Sequence, residues 1–313
     1  MPLTLLALLA ASPPPVVGGQ PVAAGDWAPT ALVWAGGDPF CTGVLVAPDV
    51  VLTAGHCNSA ATHVSVGLVD LGAVEGRTRV VAKEAHPSWL TTLDVAVLLL
   101  AEPVDLAPAA LAPTPADGDP VHIVGWGATD AQGDVYPDTL MAAAATVWDA
   151  DCSQPDQGCM PAVQPGGELV AGGEGVDSCS GDSGGPLYAG TPDAPLLVGI
   201  TSRGVDSDGP PCGDGGIYVR ADAAMAWAEP TAAALRAADT SAPAADTGGT
   251  QQPPVDPLHG GQFTGGFGCG HVPGGGRGPA GLLAALGALL LRACRARRRW
   301  SRQPRTGSRC SSA

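Results

Sequence analysis

The sequence predicts an all-β protein, built as a sandwich or a pair of barrels and followed by one helical segment. Two observations carry this reading. Short β-type runs recur along the chain, broken by Gly, Pro and Asp, and the 313 residues include 45 Gly and 31 Pro, a composition suited to short strands and tight turns. At residues 221–238 the composition becomes Ala-rich and helical, with Pro230 interrupting it.

In chain order, the clearest strand runs are residues 30–34, 43–46, 50–53, 95–100, 121–124 and 196–201. Segments of other character flank them. Residues 3–11 form the apolar core of a signal peptide spanning 1–12, with cleavage after Ala10 or Ser12, although no Lys or Arg precedes the run and Pro13 disfavours a cut just before it. Residues 13–15 then read as a short pro-segment. Residues 239–264, rich in Pro, Thr and Gly, read as a disordered linker too polar to bury a core. The tail, 265–313, carries Gly-Cys-Gly around Cys269, an apolar run at 279–291 and an arginine cluster at 292–309. As a helix that run spans about 20 Å, short of the roughly 30 Å hydrocarbon core of a bilayer.

Charge is segregated. The first 265 residues hold six basic against 30 acidic residues, a net of −24, and the last 48 carry +9. So acidic a body excludes nucleic acid as a partner and suits a cationic substrate. Nine cysteines and an apolar start point to an oxidising compartment, hence export to the cell surface, the outer envelope or the medium. His63, His86, His122, His259 and His271 show no ligand spacing, and Asp70 with Glu75 is too sparse for calcium. No metal and no cofactor is expected. Without repeats or a coiled coil, a monomer is expected.

The chemistry lies in two motifs, Thr53-Ala54-Gly55-His56-Cys57 and Gly181-Asp182-Ser183-Gly184-Gly185-Pro186, with Asp94 heading the apolar run at 95–100 between them. A serine hydroxyl needs a base within hydrogen-bond reach, and the base needs a third group to fix its tautomer and stabilise its cation. Ser183, His56 and Asp94 fit those roles. A carboxylate at the mouth of a buried strand needs a partner, and His56 would be it. Gly181 and Gly184 free the backbone to aim the Gly181 and Ser183 amides at one spot, an oxyanion hole.

These motifs, in the order His, Asp, Ser, resemble the chymotrypsin-like (trypsin family) serine proteases over residues 16–237. The resemblance implies two packed six-stranded antiparallel β-barrels with a C-terminal helix, a protease domain at 16–238, and protein or peptide substrates. It implies that Asp182 accepts the ammonium of a new N-terminus at Val16. Pro15 stands where a basic residue would allow self-activation, so another exported protease would free Val16. It places Asp177 at the floor of a specificity pocket beside Ser178, favouring Arg or Lys in the substrate. Gly204 and Gly216 would keep that pocket open, and Ser202 would orient the substrate backbone. Arg203 replaces the usual aromatic and would set a cation beside the substrate backbone, repelling basic residues further along the peptide. The loop at 205–215 is longer and more acidic than usual.

The same resemblance pairs Cys41 with Cys57 and Cys179 with Cys212. Cys152 lacks its usual partner near Val170, which leaves Cys159 as its local mate. Gly125-Trp126-Gly127 would pack where the barrels meet. The tail resembles myxobacterial C-terminal and related Gly-Gly sorting signals, implying transient membrane association, removal of the tail and Cys269 as a lipid attachment point. Two alternatives stand beside the protease reading: a catalytically silent, protease-like binding protein, and an active protease with apolar specificity.

Overall fold

The computed structural model describes residues 16–241, apart from 75, 155 and 156. The expected signal peptide, pro-segment and tail, most of the linker, Glu75 and Cys269 lie outside the described residues. In chain order the strands are β1 (Gln20–Pro21), β2 (Thr30–Ala35), β3 (Asp38–Ala47), β4 (Val50–Thr53), β5 (His63–Val66), β6 (Thr78–Ala85) and β7 (Ala96–Leu100). They continue as β8 (Ala110–Leu111), β9 (Pro120–Gly125), β10 (Met141–Asp149), β11 (Glu168–Ala171), β12 (Pro186–Thr191), β13 (Ala194–Gly204) and β14 (Gly216–Arg220), followed by helix α1 (Ala221–Ser241).

The strands close into two six-stranded antiparallel barrels, as expected. The first runs β2-β3-β4-β7-β6-β5 and closes through the β2–β5 pairing. The second runs β9-β10-β11-β14-β13-β12 and closes through the β12–β9 pairing. β1 pairs with β10, and β8 lies parallel to β13.

The period of two along each strand explains why β7 is apolar throughout. Leu98 and Leu100 join Ala31, Val33, Leu45 and Val51 in a cluster confined to the first barrel. Val97 and Leu99 face the other way, into a cluster shared with Val124, Leu140, Tyr188 and Ile200 of the second barrel. Both faces are buried, so the alternation of a half-solvated strand is absent.

Helix α1 buries Ala224, Ala228 and Ala232 in that same inter-barrel cluster. These four-residue steps lie on one face of a helix. The break expected at Pro230 does not occur: proline removes a single hydrogen bond, and the helix continues to Ser241. Arg236 Nε anchors its last turns on Asp49 Oδ2 at 2.7 Å. All three pairings expected within the barrels, Cys41–Cys57, Cys152–Cys159 and Cys179–Cys212, are formed.

Candidate active site

The site lies between the barrels. β4 ends in a short 3-10 turn, Gly55–Cys57, that carries His56. The Cys41–Cys57 bridge ties the turn back to β3. Asp94 sits just ahead of β7 and is 6% exposed. Its Oδ1 accepts the His56 amide at 3.0 Å, and its Oδ2 lies 2.8 Å from His56 Nδ1. Ser202, on β13, donates its hydroxyl to the same Oδ2 at 2.8 Å. Burial pushes the Asp94 carboxyl up, but hydrogen bonding and charge from His56, with the Ser202 bond, outweigh it and hold the pKa below the usual range. An ionised carboxylate can only accept, so Nδ1 carries the hydrogen and Nε2 of the neutral ring is left as an acceptor.

Ser183 lies on the loop ahead of β12, pressed against that turn. Its carbonyl accepts Thr42 N at 3.0 Å and lies 3.8 Å from Cys57 Sγ, one residue beyond His56. Thr42 Oγ1 holds the Gly181 carbonyl at 2.9 Å. Among the described residues, the Gly181 and Ser183 amides donate to nothing, and no hydrogen bond joins Ser183 to His56.

A cavity of about 190 Å³ opens beside Ser183, lined by Ser178, Cys179, Ser202, Arg203, Gly204 and Cys212 among others. Asp177 does not line it directly. Its carboxylate is 1% exposed behind Ser178, and Oδ2 accepts the amides of Gly213 (2.8 Å) and Gly215 (3.2 Å). Oδ1 is buried without a partner. Burial is the main cause that raises the Asp177 pKa to about 6. A Cβ at Gly216 would lie 2.8 Å from Ser178 Oγ, whereas one at Gly204 would meet nothing nearer than Pro211 O at 3.5 Å. A Cβ at 216 would therefore have to displace the Ser178 hydroxyl, while one at 204 would fit, pointing into no closer contact than Pro211 O.

Asp182 is wholly buried, accepting Gly127 N at 2.8 Å and Cys179 N at 2.9 Å. Burial raises its pKa to about 7. A Cβ at Gly125 or Gly127 would come within 2.2 Å of this carboxylate, so the Gly125-Trp126-Gly127 motif houses Asp182 as well as packing Trp126 between the barrels. Val16 is also wholly buried, in a cluster with Val121, Ile123, Met141 and Leu187, and Val17 bridges to Asp177.

Arg203 departs from expectation. Its guanidinium is taken up by Glu168, which is fully buried. Nη1 donates to Glu168 Oε1 (2.8 Å) and Ser202 Oγ (3.1 Å), and Nη2 to Glu168 Oε2 (3.0 Å) and Gly158 O (2.7 Å). Nε donates to Gly158 O at 3.3 Å. All five guanidinium hydrogens are engaged, so no free cation is offered to a substrate backbone. Glu168 and Thr42 were not singled out in the sequence. Glu168 carried a signal: like Asp94, it heads a wholly apolar, buried run.

The donor clusters Cys41–His56–Cys57 and Cys152–Cys159–Glu168 each contain a disulfide, and bridged sulfurs are not thiolate ligands.

Residues 16–228 match the Trypsin family. The chain is 33% identical over 222 residues to the trypsin of Saccharopolyspora erythraea, covering 66% of this chain and 94% of that protein. It is 34% identical over 234 residues to mouse serine protease 56, covering 68% of this chain but only 38% of that longer protein. It is also 31% identical to glucanase inhibitor protein 1 of Phytophthora sojae, covering 68% and 86%. The solved structure of neuropsin, a serine protease of mouse brain, superposes with a TM-score of 0.58 at 28% identity, over 68% of this chain and 98% of that one. The chain belongs to the trypsin family of serine proteases.

Proposed function

We propose that the protein is an exported serine endopeptidase cutting after Arg or Lys. The observation that carries the reading is the convergence of three features in one cleft: an ionised Asp94 on His56 Nδ1, the Ser183 loop packed against that histidine's turn, and two unengaged amides at Gly181 and Ser183. In the reaction, Ser183 Oγ attacks the scissile carbonyl carbon as His56 Nε2 takes its proton. Asp94 stabilises the imidazolium, and the two amides receive the oxyanion. Collapse expels the amine, which takes the proton from His56, and leaves an acyl-enzyme. Water, deprotonated by the same base, releases the acid.

The unpartnered Asp177 Oδ1 supports basic specificity, because a guanidinium or ammonium reaching past Ser178 would supply its missing partner. Activation would free the Val16 ammonium to pair with Asp182. The signal peptide at 1–12, the pro-segment at 13–15, the domain at 16–238, the linker at 239–264 and the sorting tail at 265–313 with Cys269 belong to the same proposal. So do the monomeric state and the absence of a cofactor. No helix among the described residues is long and apolar enough to cross a membrane.

The test is amidolysis of arginyl, lysyl and leucyl peptide anilides by the chain with Val16 as its free N-terminus. Arginyl or lysyl turnover that disappears in Ser183→Ala is expected. Turnover of the leucyl substrate alone would leave the triad and remove the Asp177 assignment. No turnover from a folded, processed chain would favour the binding-protein reading.

A further inference from the structure

Glu168, Arg203, Ser202, Asp94 and His56 form one unbroken chain of hydrogen bonds, with links of 2.8, 3.1, 2.8 and 2.8 Å. A serine hydroxyl has one hydrogen to give and can accept in return. Arg203 Nη1 has only hydrogens to give, so Ser202 Oγ must accept from it, and the Ser202 hydrogen is directed to Asp94 Oδ2. Glu168 fixes the guanidinium from behind with both carboxylate oxygens, a bidentate geometry that lysine could not reproduce. The assembly also reaches the Cys152–Cys159 loop: Arg203 holds the Gly158 carbonyl, and Glu168 Oε2 accepts Met160 N at 2.7 Å.

We propose that the Arg203–Glu168 pair is a positioning device that orients the Ser202 hydroxyl onto Asp94 and thereby sets the basicity of His56. The inference rests on the triad reading above. The charged groups facing Asp94 are His56 directly and this ion pair through Ser202. A donor polarised by a guanidinium draws charge from the carboxylate, and a carboxylate so engaged stabilises the imidazolium less. The pair therefore keeps His56 less basic than a free Ser202 would.

The test reads His56 itself, by NMR titration of its imidazole in the full chain with Val16 as the free N-terminus. The first variant is Arg203→Met with Glu168→Leu, which removes both charges together and avoids stranding either one in the interior. His56 is expected to titrate measurably higher, by less than the roughly one pH unit that losing a whole hydrogen bond to a charged group would give, because Ser202 keeps its bond to Asp94. In a Ser202→Ala background the same pair of substitutions should add no further shift, because the link is already cut. A folded pair variant with an unmoved His56 titration would overturn the proposal, as would a shift that persists undiminished without Ser202. If the charge-free pair fails to fold, Arg203→Lys is read by the same criteria. Amidolysis is measured alongside. An inactive parent chain would defeat the triad reading, while the titration still decides the role of Arg203.

Discussion

A methyl group at Gly184 would sit 2.1 Å from Thr53 Oγ1 and 2.4 Å from Ala54 N, and the backbone there has a φ of +79°. Gly184→Ala is therefore expected to push the Ser183 loop off the histidine turn. A misplacement of about 1 Å can cost roughly 10² in rate, so kcat/KM should fall by at least about that factor in an amidolysis assay. Asp177 gives a second expectation. Its pKa of about 6 means that it is protonated, and neutral, below that pH. The preference for arginyl over leucyl substrates, measured as a ratio of kcat/KM values, should shrink as pH falls through about 6 and vanish in Asp177→Ser. A ratio flat across that range would separate selectivity from this carboxylate. At this scale the motifs made the contact of His56 with Asp94 and the nearness of the Ser183 loop legible, because the proposed reaction demands particular residue types. The direction of Arg203 was not legible, because it is decided by Glu168, 35 positions away in the chain.

Among elements, β7 and β10 show where sequence patterns hold and where they fail. β7 reads plainly because both of its faces are buried apolar surface. β10, Met-Ala-Ala-Ala-Ala-Thr-Val-Trp-Asp, has the composition of a helix, yet it pairs with β9 over six residues and with β11 beyond them. Its partners override local propensity. Helix α1 was legible as a helix, but its passage through Pro230 depends on the alanine face it lays on the barrels. Ala224 is fully buried there. Ala224→Leu should overpack the seam and cost about 1–3 kcal/mol in denaturant unfolding. Arg236→Ala, removing a partly exposed ion pair with Asp49, should cost less than about 1 kcal/mol. The reverse ranking would mean that the helix is held by its charge clamp and not by its apolar face.

Residues 16–241 join two barrels through one apolar seam and place His56, Asp94 and Ser183 beside it, so the barrels must close before these residues meet. Asp182 links this architecture to maturation. In the uncleaved chain it is buried with no cation among the described residues, and its pKa of about 7 lies above the ordinary carboxylate value of 3.8. Between those values the folded state holds a proton that the unfolded state has released, so stability increases as pH falls through that window. A free Val16 ammonium paired with Asp182 would remove this dependence. Burial lowers the pKa of His86 and of His122, which costs stability on acidification in both chains alike; thermal unfolding from pH 7.5 down to pH 5 should therefore show the Tm of the uncleaved chain rising relative to that of the matured one, and identical profiles would argue against the pairing. The central claim, that Ser183 is the nucleophile, is tested most directly by covalent labelling. The matured chain is treated with an organophosphonate that phosphonylates activated serines, the serine oxygen displacing its leaving group at phosphorus, and the adduct is located by peptide mass mapping. One adduct, on Ser183, is expected, and it should not form when the chain is unfolded beforehand or in His56→Ala. An adduct on another serine, or none on a folded chain beginning at Val16, would contradict it.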